Sequence, residues 1–141
     1  MKNILICLLL SIIIASCGKK NNNNELDGYF DITETSCSDQ VTPGKRLVLF
    51  DPQSDTKVNV KILESSLNSI AVSFTASISY NDKKFVLRGD SVIKTQIQNY
   101  DVEFIIDAIL NDNADSFEGV WVEKDDFGTI TCNITAKKRD N

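Results

Sequence analysis

Through most of the chain, apolar and polar residues alternate one for one. Ile70, Val72, Phe74, Ala76, Ile78 and Tyr80 are separated by Ala71, Ser73, Thr75, Ser77 and Ser79. A period of two sends successive side chains to opposite faces of a strand, so this stretch predicts a strand with one buried and one wet face. Val102, Phe104, Ile106, Ala108 and Leu110 repeat the pattern, as do Ile130, Cys132, Ile134 and Ala136 against Thr129, Thr131, Asn133 and Thr135. Shorter runs are Phe30/Ile32, Leu47/Leu49, Val58/Val60/Ile62, Phe85/Leu87 and Ile93/Thr95/Ile97. In Phe117-Glu118-Gly119-Val120-Trp121-Val122 aromatic residues and glycine hold one parity and valines make the other apolar as well, which predicts cover on both sides.

Turn-forming residues separate these runs: Thr42-Pro43-Gly44, Asp51-Pro52, Asn81-Asp82, Gly89-Asp90, Asn99-Tyr100-Asp101, Asn111-Asp112-Asn113 and Asp125-Asp126-Phe127-Gly128. Eight or nine strands result, with no helix beyond one short turn within Leu63 to Ser69. Short strands at hairpin spacing predict an all-β fold, a single antiparallel up-and-down barrel, with a β-sandwich as the alternative.

The N-terminus follows another rule. Met1-Lys2-Asn3 carries one positive side chain, and Ile4 to Ile14 is an apolar run of 11 residues broken only by Ser11. A membrane-spanning helix needs about 20. A positive start, a short apolar core and small residues at its end describe a secretory signal. Ile14-Ala15-Ser16-Cys17 resembles the lipobox of bacterial lipoproteins. The resemblance implies that residues 1–16 are removed and that Cys17 carries a thioether diacylglycerol, usually with a third, palmitate-like chain on its amine. Two or three acyl chains make a lasting anchor where one is marginal. Gly18-Lys19-Lys20 and four consecutive asparagines follow, and residues 17–24 read as the lipidated Cys and its tether. Seven flexible residues reach about 15 Å. Gly18, rather than Asp, after the lipidated Cys resembles the sorting pattern for the outer membrane. The expected location is therefore the bacterial cell envelope, held to the outer membrane by lipid.

The folded domain is then residues 25–141. All 20 acidic residues and 12 of the 15 basic ones fall after residue 24, so its formal charge is −8. That charge argues against nucleic acid, whose phosphates demand Lys and Arg. It suits either plain solubility or a basic protein partner. Cys7 leaves with the signal and Cys17 takes lipid, so Cys37 and Cys132 remain as two thiols in an oxidising compartment. They predict a disulfide. Cys37 ends the first strand and Cys132 lies mid-way in the last, so the two chain ends are expected side by side, which favours a barrel.

Leu26-Asp27-Gly28-Tyr29-Phe30 at the start, with Phe117-Glu118-Gly119-Val120-Trp121 near the end, resembles the openings of lipocalin-like and avidin-like barrels. Tyr29 or Phe30 stands where the lipocalin strand carries its Trp. The resemblance implies a barrel that holds a small ligand.

Chemical signatures are sparse. The chain has no His, which removes Ser-His-Asp and Cys-His nucleophiles, the usual zinc sites and the common general base. No phosphate-binding glycine loop occurs among its six glycines. We expect no catalytic residues, no metal and no cofactor. Asn111-Asp112-Asn113-Ala114-Asp115 imitates calcium ligands at alternate positions but lacks the sixth-position Gly, and Val122 stands at the twelfth, so a polar hairpin turn is expected. Arg88-Gly89-Asp90 spells an adhesion tripeptide and reads here as strand–turn–strand punctuation. Phe74, Phe104 and Trp121 are core residues that double as candidates for ligand contact. The expected function is a monomeric, non-catalytic binding module for a small apolar or amphipathic ligand. The alternative is a protein-binding barrel, either structural or similar to the small disulfide-bonded lipoproteins that inhibit lysozyme-type hydrolases.

Overall fold

The computed structural model describes residues 25–38, 40–63 and 70–140. The signal, Cys17 and the tether lie outside the described residues, as does nearly all of the short turn expected after Leu63. Eight strands follow in order: β1 (Gly28–Cys37), β2 (Lys45–Ser54), β3 (Lys57–Leu63), β4 (Ile70–Asn81), β5 (Lys84–Lys94), β6 (Asn99–Leu110), β7 (Ser116–Asp125) and β8 (Gly128–Lys138). Each pairs antiparallel with its successor, and β1 pairs with β8, so the sheet closes as an up-and-down barrel rather than a sandwich. Among the described residues, the strands, the closing ladder and the core fall within residues 26–138.

Alternation dictates what the barrel encloses. Phe74, Phe104, Ile106 and Ile134 point inward and are buried, while Ser73 and Thr135 of opposite parity are exposed. Phe30, Phe50, Phe85 and Phe117 fill one level of the interior, with neighbouring ring centroids 5.3–6.2 Å apart. Each such ring contributes roughly 1.5–3 kcal/mol by leaving water. Leu26, ahead of β1, is fully buried in the same core.

Several expectations need correction. The runs around Phe85 and Ile93 are one strand, β5, and Gly89-Asp90 is no turn. Asp51-Pro52 lies within β2, and the chain reverses only after Ser54. Thr95 and Ile97 belong to the β5–β6 turn, closed by Thr95 Oγ1 donating to the Gln98 carbonyl at 2.7 Å, and Asn99 already begins β6. In β2 the residues of the inner core are Val48 and Phe50 rather than Leu47 and Leu49, although Leu47 is also buried, on the other face. Four consecutive apolar residues leave periodicity silent there. The register decides, because Val48 lies opposite inward-facing Phe30. The second face of β7 is only partly covered, with Val120 and Val122 half-buried.

The alternating strand directions put Cys37 and the connections 38–44, 95–98 and 126–127 at one end, called here the upper end. Glu25 and Arg139 lie at the lower end, where the Arg139 amide donates to the Tyr29 carbonyl at 2.8 Å. One ladder is incomplete. β4 and β5 pair only from Ser77↔Arg88 down to Asn81↔Lys84. Above that level β4 continues with β3, and β5 continues with β6 as far as Lys94↔Asn99.

Candidate functional site

The incomplete ladder leaves a seam in the upper wall. Serine hydroxyls reach across it: at its lower edge, where the ladder ends, Ser77 Oγ donates to the Arg88 carbonyl at 3.3 Å, and within the seam Ser91 Oγ reaches the Ser73 carbonyl at 3.5 Å. The Phe74 ring fills the space over Gly89. It stacks on Phe104 with centroids 4.9 Å apart and planes 10° from parallel. Phe104 in turn meets Trp121 edge-on at 6.2 Å. The three aromatic residues singled out from the sequence thus form one connected column running inward from the seam.

A groove of about 640 Å³ opens where this seam meets the upper parts of β6 and β7. Phe74, Val92 and Val102 supply its apolar surface, and Ser73 and Ser91 its hydroxyls. Asp90, Asp101, Glu103, Asp125 and Asp126 line it as well, with Lys124 the basic residue among them. Phe104 and Trp121 lie behind Phe74 and do not line the groove. An apolar surface with a few polar groups, in a volume within roughly 300–1,000 Å³, is what small-ligand sites offer.

Elsewhere in the same upper end the interior is polar. Glu34 is buried on the core parity of β1. Its Oε1 accepts from Arg46 Nε at 2.8 Å, and its Oε2 accepts from the Gly44 amide at 2.8 Å. Arg46 also pairs with Glu123 through Nη1, and Glu123 Oε1 accepts from Trp121 Nε1 at 2.9 Å. The Arg46 guanidinium carbon lies 5.2 Å from the Trp121 ring centroid, which adds a cation–π contact. This network ties β1, β2 and β7 together across the mouth. The sequence carried a sign of it: Glu34 follows Phe30 and Ile32, and Glu123 follows Trp121, each on the core parity.

Cys37 and Cys132 are directly paired in the closing ladder, with Cα atoms 4.0 Å apart and sulfurs at bonding distance. Glu34 Oε2 lies beside Cys37. These three residues are the metal-ligating group that the described residues bring together. With the sulfurs joined to each other and both Glu34 oxygens hydrogen-bonded, they make a poor metal site. The Asn111–Asp115 segment is a closed polar turn: Asn111 Oδ1 accepts from the amides of Asp115 and Ser116 at 3.1 and 3.2 Å, and Asn111 Nδ2 donates to Asp115 at 2.6 Å. Arg88-Gly89-Asp90 runs straight within β5.

Neither a protein-family model nor a curated protein matches the chain. Among solved structures it is similar to a redesigned β-barrel, at a TM-score of 0.54 and 14% identity over 84% of this chain and 95% of that one. The likeness is one of fold.

Proposed function

We propose that the chain is a lipid-anchored lipoprotein of the bacterial cell envelope, sorted to the outer membrane, whose barrel acts by binding rather than by catalysis. Its ligand is a small amphipathic molecule held in the groove over Phe74. The groove carries this reading: it combines ligand-sized volume with an apolar surface and hydroxyl and carboxylate groups at its edge. Its position supports it too. The chain leaves for the tether at the lower end, and the groove opens at the upper one, so a lipid on Cys17 holds the barrel with its groove toward the aqueous phase.

Two measurements test this. Cells labelled with a palmitate analogue should mark the wild-type protein and not Cys17→Ala; equal labelling removes the anchor. Native mass spectrometry of the barrel recovered from its own envelope should find a small molecule retained, and Ser73→Trp, which fills the groove, should lose it. A barrel that carries nothing in either form counts against the ligand.

A protein-facing role is the second reading. Ile97 and Phe127 stand exposed on two of the upper connections, 94% and 76% accessible. Co-purification of a hydrolase that Ile97→Ser or Phe127→Ser abolishes would favour that role.

A further inference from the structure

The groove marks where a ligand goes, and its charges decide which. We infer that the groove selects an amphipathic cation, with the apolar body against Phe74 and Val102 and an ammonium or guanidinium toward the carboxylates of β5 and β6. This deepens the binding reading above and rests on it.

Three of the five carboxylates are left unpaired among the described residues. Asp125 is committed, since its Oδ1 accepts from the amides of Phe127 and Gly128 at 2.8 and 2.9 Å and closes the β7–β8 turn. Glu103 has a loose partner in Arg88, 3.6 Å away. The carboxylates of Asp90, Asp101 and Asp126 have no hydrogen bond or ion pair among the described residues. Asp90 also stands directly opposite Glu103 in the β5–β6 ladder. Like charges opposed across two strands destabilise a sheet. Arg88 and Lys124, the latter opposite Glu103 in the β6–β7 ladder, offset part of that cost on the Glu103 side, but Lys124 is the basic residue in a lining with five carboxylates, and the groove stays net negative. A bound cation would offset it. A fatty acid or a phosphorylated ligand would meet repulsion on the same wall.

The apolar side sets the second requirement. A small hydrated cation has no use for Phe74, Val92 and Val102. An alkyl or aryl body of modest length would cover them, and its headgroup would reach the carboxylates nearby.

The test is calorimetric titration of residues 25–141 with octylammonium, octanol and octanoate, at low and at high sodium chloride. Octylammonium should bind most tightly, octanoate least, and only the octylammonium affinity should fall with salt. Asp90→Asn combined with Asp101→Asn should weaken octylammonium roughly five-fold, the order expected for partly exposed charge pairs, and leave octanol unchanged. That variant should also melt higher than wild type, because one member of the Asp90/Glu103 pair is gone, which separates lost binding from lost folding. Asp55→Asn, in the turn at the lower end, removes a charge without changing the affinity. Equal binding of all three probes, or full affinity in the double variant, would overturn cation selectivity while leaving the groove as a site. No binding of any probe would overturn the binding reading itself. A lysine-rich decapeptide that binds where octylammonium does not would replace the small ligand with a protein segment.

Discussion

The ring of Phe74 stands where a side chain on Gly89 would project: a Cβ there would lie 2.5 Å from Phe74 Cδ2 and 3.1 Å from Ala76 Cα. Glycine is required at this position by ring packing, and the strand runs on through it. Gly89→Ala should cost about 1–3 kcal/mol as the ring is pushed aside. Gly119→Ala should cost more. Its Cβ would lie 2.2 Å from the Asp107 carbonyl and 2.5 Å from Ala108 Cα, and backbone in a ladder cannot step away. Gly128→Ala meets nothing within 4 Å and should stay within about 0.5 kcal/mol of wild type. In urea melts the loss should be largest for Gly119→Ala, smaller for Gly89→Ala and smallest for Gly128→Ala. A different order would mean that close approach does not explain these glycines.

Arg46 sits between two carboxylates, and one of them, Glu34, has a side chain only 4% exposed. Removing the arginine strands that charge. Arg46→Met should cost about 3 kcal/mol, while Arg46→Met with Glu34→Gln should recover most of the loss, because breaking half of a buried pair is what costs. A double variant no more stable than Arg46→Met would show that Glu34 is not the stranded group.

The Tyr80 hydroxyl is buried without a hydrogen-bond partner among the described residues. Burial first, and the Glu25 charge second, push its pKa above the ordinary 10.0. Tyr80→Phe should stabilise the barrel by about 1 kcal/mol, since an unsatisfied buried group is removed. The sign of the alkaline effect follows from linkage. A raised pKa favours the folded state fully below 10.0, and that advantage is lost as the pH rises beyond it. Chemical melts above pH 10.0 should therefore widen the gap in favour of Tyr80→Phe.

Asp31 takes a two-pronged pair from Arg139, at 2.8 and 2.7 Å. That hydrogen bonding, ahead of the Arg139 and Lys45 charges, holds its carboxyl below the ordinary 3.8. A depressed pKa supplies stability above 3.8 and loses it as the pH falls further. Asp31→Asn should lower the melting midpoint near neutrality, modestly because the pair is exposed. The difference should vanish as the pH drops well below 3.8. A deficit that persists in acid would mean the pair acts through packing rather than charge.

Sequence alone disclosed the closed barrel, the parity of β4, β6 and β8, and the pairing of the two cysteines. Each rests on a period-two pattern or on elimination. It failed where local chemistry has two meanings. Gly-Asp reads as a turn until the Phe74 ring shows why glycine is needed. Leu47 to Phe50 is apolar on both parities, so only pairing with Phe30 tells inside from outside. The groove was illegible for a different reason. Its lining comes from four strands between Ser73 and Asp126, and two of those strands share no ladder at that level. No pattern within one strand encodes that separation. The Arg46 network lay between these cases: Glu34 and Glu123 stand out as charges on core parity, but the register of β1 against β2 is needed to bring Arg46 to them.

Seven of the eight ladders join strands that are neighbours in the chain, and the eighth joins β1 to β8. Such a chain can zip locally, hairpin after hairpin, as fast as low contact order permits. The closing step is different in kind. It brings together segments almost the length of the domain apart, and its entropy cost must be met before its contacts form. Until the last strand of 11 residues arrives, the molecule is an open twisted sheet with two adhesive edges and an unpartnered thiol at Cys37, 95 residues from its mate. Loss of β8 would therefore do more harm than loss of as many residues from the loops, because it would leave that vulnerable intermediate as the end state.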